Sequence, residues 1–156
     1  RPANVDGEQQ LLRLLHAIAE GTRGLPVIFP VHPRTAKNLR DAGKTIPSMH
    51  YVDPLGYLEF NYLVKHAKGV ITDSGGITEE TTVLGVPCLT LRDNTERPET
   101  ITIGTNELIG TDPSKLPPAL VRLMAGQWKK GEIPPLWDGK AAERIMGQLE
   151  RLMLAS

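Results

Sequence analysis

Short apolar runs alternate with longer amphipathic segments along almost the whole chain. The runs lie at residues 27–31, 49–52, 69–73, 87–91 and, less clearly, 107–110. Between them, apolar residues recur at helical spacing, as they do at Leu11, Leu15 and Ile18. Strands that alternate with helices at this spacing are joined by right-handed crossovers, which align the strands in parallel. The pattern therefore predicts an α/β domain with a doubly wound, mainly parallel, Rossmann-like sheet.

Helix signals fill the gaps between the runs. Helices are predicted for residues 6–20, 34–42, 113–124 and 140–154, and further ones after Asp53-Pro54 and after Ser74-Gly75-Gly76. The 156 residues contain 40% hydrophobic residues and no linker long enough to divide them. Residues 1–156 are therefore expected to form a single domain.

Charge and composition exclude several classes of partner. Lys+Arg and Asp+Glu both number 18, so the formal net charge is zero and no global basic field favours nucleic acid or an anionic membrane. No apolar run approaches the roughly 20 residues of a membrane span, and no signal-peptide pattern is present. We therefore expect a cytoplasmic protein. The single Cys88 lies in an apolar stretch and is expected in the core.

The first residues suggest that the chain is a piece of a longer protein, because Arg1 enters with no preceding element that could begin a domain. Ligands of open parallel sheets bind beyond the carboxyl ends of the strands. His32, Ser74 and Arg97 each follow a predicted strand, so we expect them at one edge of the sheet.

The most informative stretch is Asp73-Ser74-Gly75-Gly76, which is followed by Glu79 and Glu80. Glycines at a strand-to-helix turn let the backbone approach a ligand, while the amide groups and dipole of the helix start attract phosphate. Ser74 adds a hydroxyl donor, and Glu80 is placed to accept hydrogen bonds from ribose hydroxyls. Glu79 is expected to point elsewhere.

A purely structural interpretation of this stretch stays open, in which Ser-Gly-Gly is only a tight turn and the glutamates are only first-turn acids. The stretch is neither a Walker A loop nor a full Gly-x-Gly-x-x-Gly fingerprint, which disfavours ATP and NAD.

Two further segments carry cationic groups after predicted strands. In His32-Pro33-Arg34, proline fixes the chain and two cationic side chains suit a diphosphate, although an isolated histidine is often structural. The segment 92–99 is dense with charge. It is either a solvated loop or a loop that binds phosphate. In the second case, either Arg92 or Arg97 can neutralise the phosphate charge.

Several motifs, in order and spacing, resemble the non-hydrolysing UDP-N-acetylglucosamine 2-epimerases. They are Pro30-Val31-His32-Pro33-Arg34, Tyr57-Leu58-Glu59-Phe60, residues 72–80, residues 91–99, Gly104-Thr105-Asn106 and residues 138–145. The resemblance implies the carboxyl-terminal half of a glycosyltransferase-B-like two-domain fold, with an amino-terminal domain, the source of the catalytic carboxylates, that is absent from this chain.

The resemblance also assigns roles to particular residues. UDP is held at the positions of His32, Ser74, Gly75, Gly76 and Glu80, with Phe60 near the uracil and Arg97 near the phosphates. Arg1 corresponds to the second residue of a His-Arg motif of the family, and His32 is the catalytic candidate in this chain. Ala3 departs from the glutamate often found there.

The implied reaction interconverts UDP-GlcNAc and UDP-ManNAc by elimination of UDP to a 2-acetamidoglucal and re-addition on the opposite face. The scheme implies no metal and no cofactor, and its expected partners are UDP or a UDP-N-acetylhexosamine, with a possible homodimer in the full-length protein. Three alternatives remain at this point: a UDP-sugar glycosyltransferase of the same architecture, a hydrolysing relative, and a non-catalytic nucleotide-binding module. The isolated chain is expected to bind UDP weakly and to be inactive.

Overall fold

The computed structural model describes residues 8–41 and 43–154. Its helices are Glu8–Gly21 (α1), Pro33–Asp41 (α2), Tyr57–His66 (α3), Gly75–Leu84 (α4), Glu99–Thr102 (α5), Leu116–Met124 (α6) and Ala141–Leu154 (α7), with a 3-10 turn at Pro113–Lys115. Its strands are Val27–Pro30 (β1), Met49–Val52 (β2), Val70–Thr72 (β3), Cys88–Thr90 (β4) and Asn106–Leu108 (β5). The alternation predicted from the sequence is confirmed.

All the strand pairings are parallel, but they form two sheets rather than one. β1 pairs with β2, and β3, β4 and β5 pair in that order. The predicted parallel fold class is therefore correct, while the expectation of one continuous sheet is not met between β1 and β3.

Two prolines explain the break beside β1. The amide of Val31 donates to the carbonyl of Val52 over 2.9 Å, so the odd-numbered residues of this strand point their amides at β2. The positions that face the other way are Pro26, Ile28 and Pro30. Because proline has no N–H group, this edge offers only one donor to a further strand.

Helices cover both faces of the three-stranded sheet. On one face, Leu89 packs in an apolar cluster with Ile18 of α1 and Leu120 of α6. On the other face, the neighbouring Thr90 bonds to Asn106 below α4 and α5. Since successive residues of a strand point to opposite faces, this alternation makes the domain doubly wound, as predicted.

The helix α1 joins the two sheets. Leu11 and Leu15 pack with Met49 of β2, while Ile18 packs with the strands of the other sheet. Val27 contacts both clusters. Cys88 is fully buried, as expected from its sequence context, and burial raises the pKa of its thiol. No helix in the described part of the chain has the length and apolar character needed to cross a membrane.

The start of α7 is tied down by Asp138. Its carboxylate accepts the amide of Lys140 over 3.1 Å and Nη1 of Arg144 over 2.9 Å, and it also pairs with Nη2 of Arg144. The hydrogen bond from Arg144, and then that from Lys140, lowers the pKa of Asp138 to about 2. At pH values above the usual pKa of aspartate, the ionised carboxylate therefore stabilises this turn fully. This stabilisation is lost as the pH falls through about 2.

We expect the Arg144→Gln substitution to raise the pKa of Asp138 towards its ordinary range. Carboxyl-carbon NMR titration measures this directly. Asp112 is the internal control, because its pKa is lowered by hydrogen bonds from Ser114 and does not depend on Arg144. An Asp138 midpoint that is unchanged in the variant contradicts the assignment.

Candidate functional site

The carboxyl ends of β1, β3 and β4 deliver the polar segments predicted to bind a ligand. His32 follows β1, Ser74 follows β3 and Arg92 follows β4, each after one intervening residue. Because β3 and β4 pair in parallel, Ser74 and Arg92 emerge at the same edge of their sheet.

Ser74 is the N-cap residue of α4. Its backbone is extended, with φ −88° and ψ 130°, and its hydroxyl makes no capping hydrogen bond. Instead, its own amide donates to Oγ1 of Thr72 over 3.1 Å. The exposed hydroxyl and the first amides of α4 are therefore not tied to each other, which leaves them placed to bind an anion.

The glycines that follow are not required by the fold. Neither Gly75 nor Gly76 has a positive φ. A Cβ built on Gly76 meets nothing within 4 Å, and one built on Gly75 lies 3.5 Å from Nη1 of Arg92, an ordinary contact. A tight turn alone thus does not explain these glycines, whereas close approach of a ligand to the backbone does.

The segment 92–99 is neither wholly solvated nor wholly buried. Arg92 is only 6% exposed, so the interpretation as a solvated loop is wrong for this residue. Its Nη2 bonds to Oδ1 of Asn94 and Oε1 of Glu96, both at 3.3 Å. Arg97, by contrast, is exposed.

Glu79 does not point away from the site, as the sequence suggested, but forms an ion pair with Nε of Arg97. The signal for this was present in the spacing, because Glu79 lies four residues after Gly75 and so shares its helix face. Because Glu79 pairs with Nε, the two terminal Nη groups of Arg97 do not take part in this ion pair. Their N–H groups form the planar fork that suits phosphate oxygens.

A chain of buried hydrogen bonds anchors the segment that carries Arg97. Oγ1 of Thr90 donates to Oδ1 of Asn106 over 2.6 Å, and Nδ2 of Asn106 donates to Oγ1 of Thr100 over 3.2 Å. The hydroxyl of Thr100 in turn donates to the carbonyl of Arg97 over 2.8 Å. Thr100 and Asn106 are completely buried. Part of the Gly104-Thr105-Asn106 motif is therefore structural support for the predicted site.

Glycine at position 104 has a steric cause of its own. A Cβ there would lie 2.5 Å from Oγ1 of Thr82 and 2.7 Å from the carbonyl of Thr100. Only glycine lets α4, α5 and the start of β5 approach so closely.

The other predicted residues are spread over this region. Phe60 is half-buried and lines a cavity of about 710 Å³ between β1 and β3, together with Pro30, Thr72 and Asp73. Glu80 is half-buried and lines a different cavity of about 460 Å³, beside Glu79, Tyr57, Asn61 and Trp137. Phe60 and Glu80 thus line two different cavities, each of which is bordered by both α3 and α4.

His32 lies exposed between β1 and α2, and its carbonyl accepts the amide of Ala36 over 3.0 Å. It does not line the cavity of about 710 Å³ that Phe60 lines. Arg1 and Ala3 lie outside the described residues. Within residues 8–41 and 43–154, no three His, Cys, Asp or Glu side chains group as ligands of a metal ion.

The chain is similar to proteins of one family. A family model described as UDP-N-acetylglucosamine 2-epimerase matches residues 1–150. The UDP-N-acetylglucosamine 2-epimerase of Methanocaldococcus jannaschii is 42% identical over 156 residues, which cover 94% of this chain and 41% of that relative. The enzyme of the same name from Yersinia pestis is 39% identical, with 88% of this chain and 39% of that relative covered.

The fold is shared as well. A crystal structure of the Methanocaldococcus jannaschii UDP-GlcNAc 2-epimerase, in complex with UDP-GlcNAc and UDP, superposes with a TM-score of 0.76 at 39% identity. The match covers 97% of this chain and 43% of that one, which fits the expected half of a glycosyltransferase-B-like two-domain fold. The chain spans about two fifths of the length of the curated relatives it matches. By sequence and by fold, it belongs to the UDP-N-acetylglucosamine 2-epimerase family.

Proposed function

We propose that the protein containing this chain interconverts UDP-GlcNAc and UDP-ManNAc, and that residues 1–156 are its single UDP-binding domain. The observation that carries the proposal is the open space beside Gly76 at the start of α4. A Cβ there would meet no protein atom within 4 Å, so the fold does not require glycine at this position. The solved relative from Methanocaldococcus jannaschii, whose crystals contain UDP-GlcNAc and UDP, supports a nucleotide sugar as the ligand.

In the proposed reaction, this site binds UDP, which is the leaving group. In the elimination step, the bond between the anomeric carbon and the diphosphate oxygen breaks, UDP leaves with the electron pair, and C2 loses its proton. Re-addition of UDP and of a proton on the opposite face of C2 gives the epimer. Negative charge grows on the diphosphate as the bond breaks, so donors aimed at it stabilise the transition state more than the bound substrate.

The residues of this chain divide into contacts with the diphosphate and contacts with the nucleoside. The first amides of α4, the Ser74 hydroxyl, His32 and Arg97 bind the diphosphate, and His32 is the catalytic candidate because an imidazolium can donate a proton or a hydrogen bond to the departing oxygen. Glu80 accepts the ribose hydroxyls and Phe60 contacts the uracil. Arg1 is also assigned to substrate binding.

The carboxylates that move protons on the sugar are assigned to an amino-terminal domain outside this chain. We place the full-length protein in the cytoplasm and propose that it is a homodimer. The scheme uses no metal and no organic cofactor.

Calorimetry of this chain with UDP, UMP and ADP tests the nucleotide site. UDP is expected to bind more tightly than the other two, and Ser74→Ala and Glu80→Ala are each expected to weaken it about tenfold, since each removes one hydrogen-bonding group worth roughly 1–2 kcal/mol. The exposed Ser48 and Glu132 provide matched controls as Ser48→Ala and Glu132→Ala. Unselective binding, or equal losses in the controls, contradicts the proposal.

Activity is tested on the full-length protein with UDP-GlcNAc as the sole substrate. An epimerase yields UDP-ManNAc with no net loss of nucleotide sugar, a hydrolysing relative releases free ManNAc and UDP, and a glycosyltransferase needs an acceptor. A non-catalytic module changes nothing. The isolated 156-residue chain is expected to turn over nothing, and measurable epimerisation by it would overturn the division of labour proposed above.

A further inference from the structure

We propose that Arg92 binds the diphosphate directly, as a fixed cation at the start of α4. This assignment rests on the proposed function and deepens it, because it adds the buried Arg92 to the exposed Arg97 as a second cation at the diphosphate. The argument starts from position. Nη1 of Arg92 lies 3.5 Å from the place that a Cβ on Gly75 would occupy. The guanidinium therefore lies next to the first turn of α4.

The partners of Arg92 do not account for its burial. Both hydrogen bonds of its guanidinium within the described part of the chain are made by Nη2, at 3.3 Å, to Asn94 and Glu96. The side chain of Glu96 is 81% exposed and that of Arg92 only 7%, so water solvates the carboxylate of the pair rather than the cation. A buried charge with one long contact to a solvated partner is poorly compensated.

The atom nearest Gly75 still faces an accessible space. Among the described residues, no fully buried side-chain nitrogen or oxygen lacks a hydrogen-bond partner. Within residues 8–41 and 43–154, Nη2 makes the hydrogen bonds of this guanidinium and Nη1 makes none, so Nη1 keeps some contact with solvent at the turn. A guanidinium carries five N–H donors, and Nη1 lies beside the turn at which an anion on α4 would bind.

Arg92 and the start of α4 are both positively charged, and this favours a bound anion between them. The start of a helix carries a partial positive charge, and a cation there is unfavourable. Arg92 adds a full, poorly solvated positive charge at the same place. The two repel each other in the empty protein, and an anion between them removes the repulsion. A residue that is unfavourable in the empty fold and favourable with ligand is typical of a binding site.

Arg92 and Arg97 then have different tasks. Arg97 is exposed and is held by Glu79 through Nε, so it can meet the phosphates from the solvent side. Arg92 is already in place before the ligand arrives. A diphosphate carries more than one negative charge, and the helix start, Arg92 and Arg97 together supply matching positive charge around it.

The test uses Arg92→Gln in the full-length protein, with inorganic pyrophosphate, UDP and uridine as probes. We expect the affinity for pyrophosphate and for UDP to fall at least tenfold and the affinity for uridine to stay within twofold. Arg144→Gln is the matched control, because Arg144 is an exposed arginine that pairs with Asp138. Affinities for pyrophosphate and UDP within twofold of the unsubstituted protein overturn the assignment.

A second measurement separates binding from a structural role. In buffer without phosphate, sulfate or nucleotide, Arg92→Gln is expected to melt at the same temperature as the unsubstituted protein or higher, because the repulsion with the helix start is gone. A purely structural arginine would instead lower the melting temperature. If the variant does not fold, a crystal of the unsubstituted protein with pyrophosphate decides, since Nη1 of Arg92 must then lie within hydrogen-bond distance of a phosphate oxygen.

Failure of this assignment is distinguishable from failure of the proposed function. Selective UDP binding that survives in Arg92→Gln removes Arg92 from the site and leaves the nucleotide site intact. The protein could instead bind pyrophosphate in a way that depends on Arg92 and yet show no preference for UDP over ADP. That result supports the role of Arg92 and contradicts UDP as the ligand of the site.

Discussion

Replacing Gly76 by alanine is expected to abolish most UDP binding while leaving the fold undisturbed. A Cβ at this position meets no protein atom within 4 Å, and the backbone of Gly76 does not need a positive φ. The same methyl group would occupy the space through which a phosphate reaches the amides of α4. Loss of two charge-assisted hydrogen bonds of roughly 1.5 kcal/mol each lowers the affinity by about a hundredfold.

The chain offers a matched control for this substitution. Gly147 also lies in a helix, also has no positive φ, and its added Cβ also meets nothing within 4 Å. Gly147→Ala is therefore expected to leave UDP binding unchanged, and neither variant is expected to lower the melting temperature, since alanine favours helices over glycine. Calorimetry and thermal denaturation measure the two properties. UDP affinity retained in Gly76→Ala would falsify the placement of the diphosphate at this turn.

The substitution Asn106→Ala is expected to cause the largest loss of stability. Asn106 is completely buried, and its amide both accepts from Thr90 and donates to Thr100. Alanine leaves the hydroxyl of Thr90 without its acceptor, and it also leaves a cavity. A buried unsatisfied group costs about 1–3 kcal/mol and the cavity adds to it, so the free energy of unfolding should fall by about 3 kcal/mol.

Urea denaturation measures this loss, and two threonines of α5 calibrate it. Thr100 is completely buried and receives the hydrogen bond from Asn106, whereas Thr102 is exposed and donates only to the carbonyl of Pro98. Thr100→Val should therefore destabilise the protein by about 2 kcal/mol and Thr102→Val by less than about 1 kcal/mol. Equal effects of the two valine substitutions would show that the buried network does not support this segment.

Local sequence patterns predicted most of the fold correctly. Apolar residues form short runs in the strands and recur about every 3.6 residues in the helices, and both patterns are local in the sequence. The strand at residues 49–52 has the bounds predicted from the sequence, and the ends of the other strands differ from the predicted ones by one or two residues. The helix starts predicted at residues 34 and 140 each differ from the observed starts by one residue. The predicted helix from residue 113 to residue 124 begins instead with a 3-10 turn and becomes α-helical at Leu116.

The division of the strands into two sheets could not be read from the sequence. Pro26 and Pro30 are visible there, but their effect depends on which side of β1 pairs with β2. Only that pairing shows that both prolines fall on the same free edge. The same limit applies to Phe60 and Glu80, whose separation into two cavities depends on how α3 and α4 pack.

The sequence by itself determined the order of the elements, the parallel fold class and the location of Ser74-Gly75-Gly76 at a strand-to-helix turn, because these follow from neighbours along the chain. Tertiary structure decided which charges meet. Arg92 and Arg97 stand five positions apart in one charged segment, yet the first is buried against α4 and the second pairs with Glu79 in solvent. Burial and ion pairing depend on groups that are distant in sequence, so only the packed domain separates the two arginines.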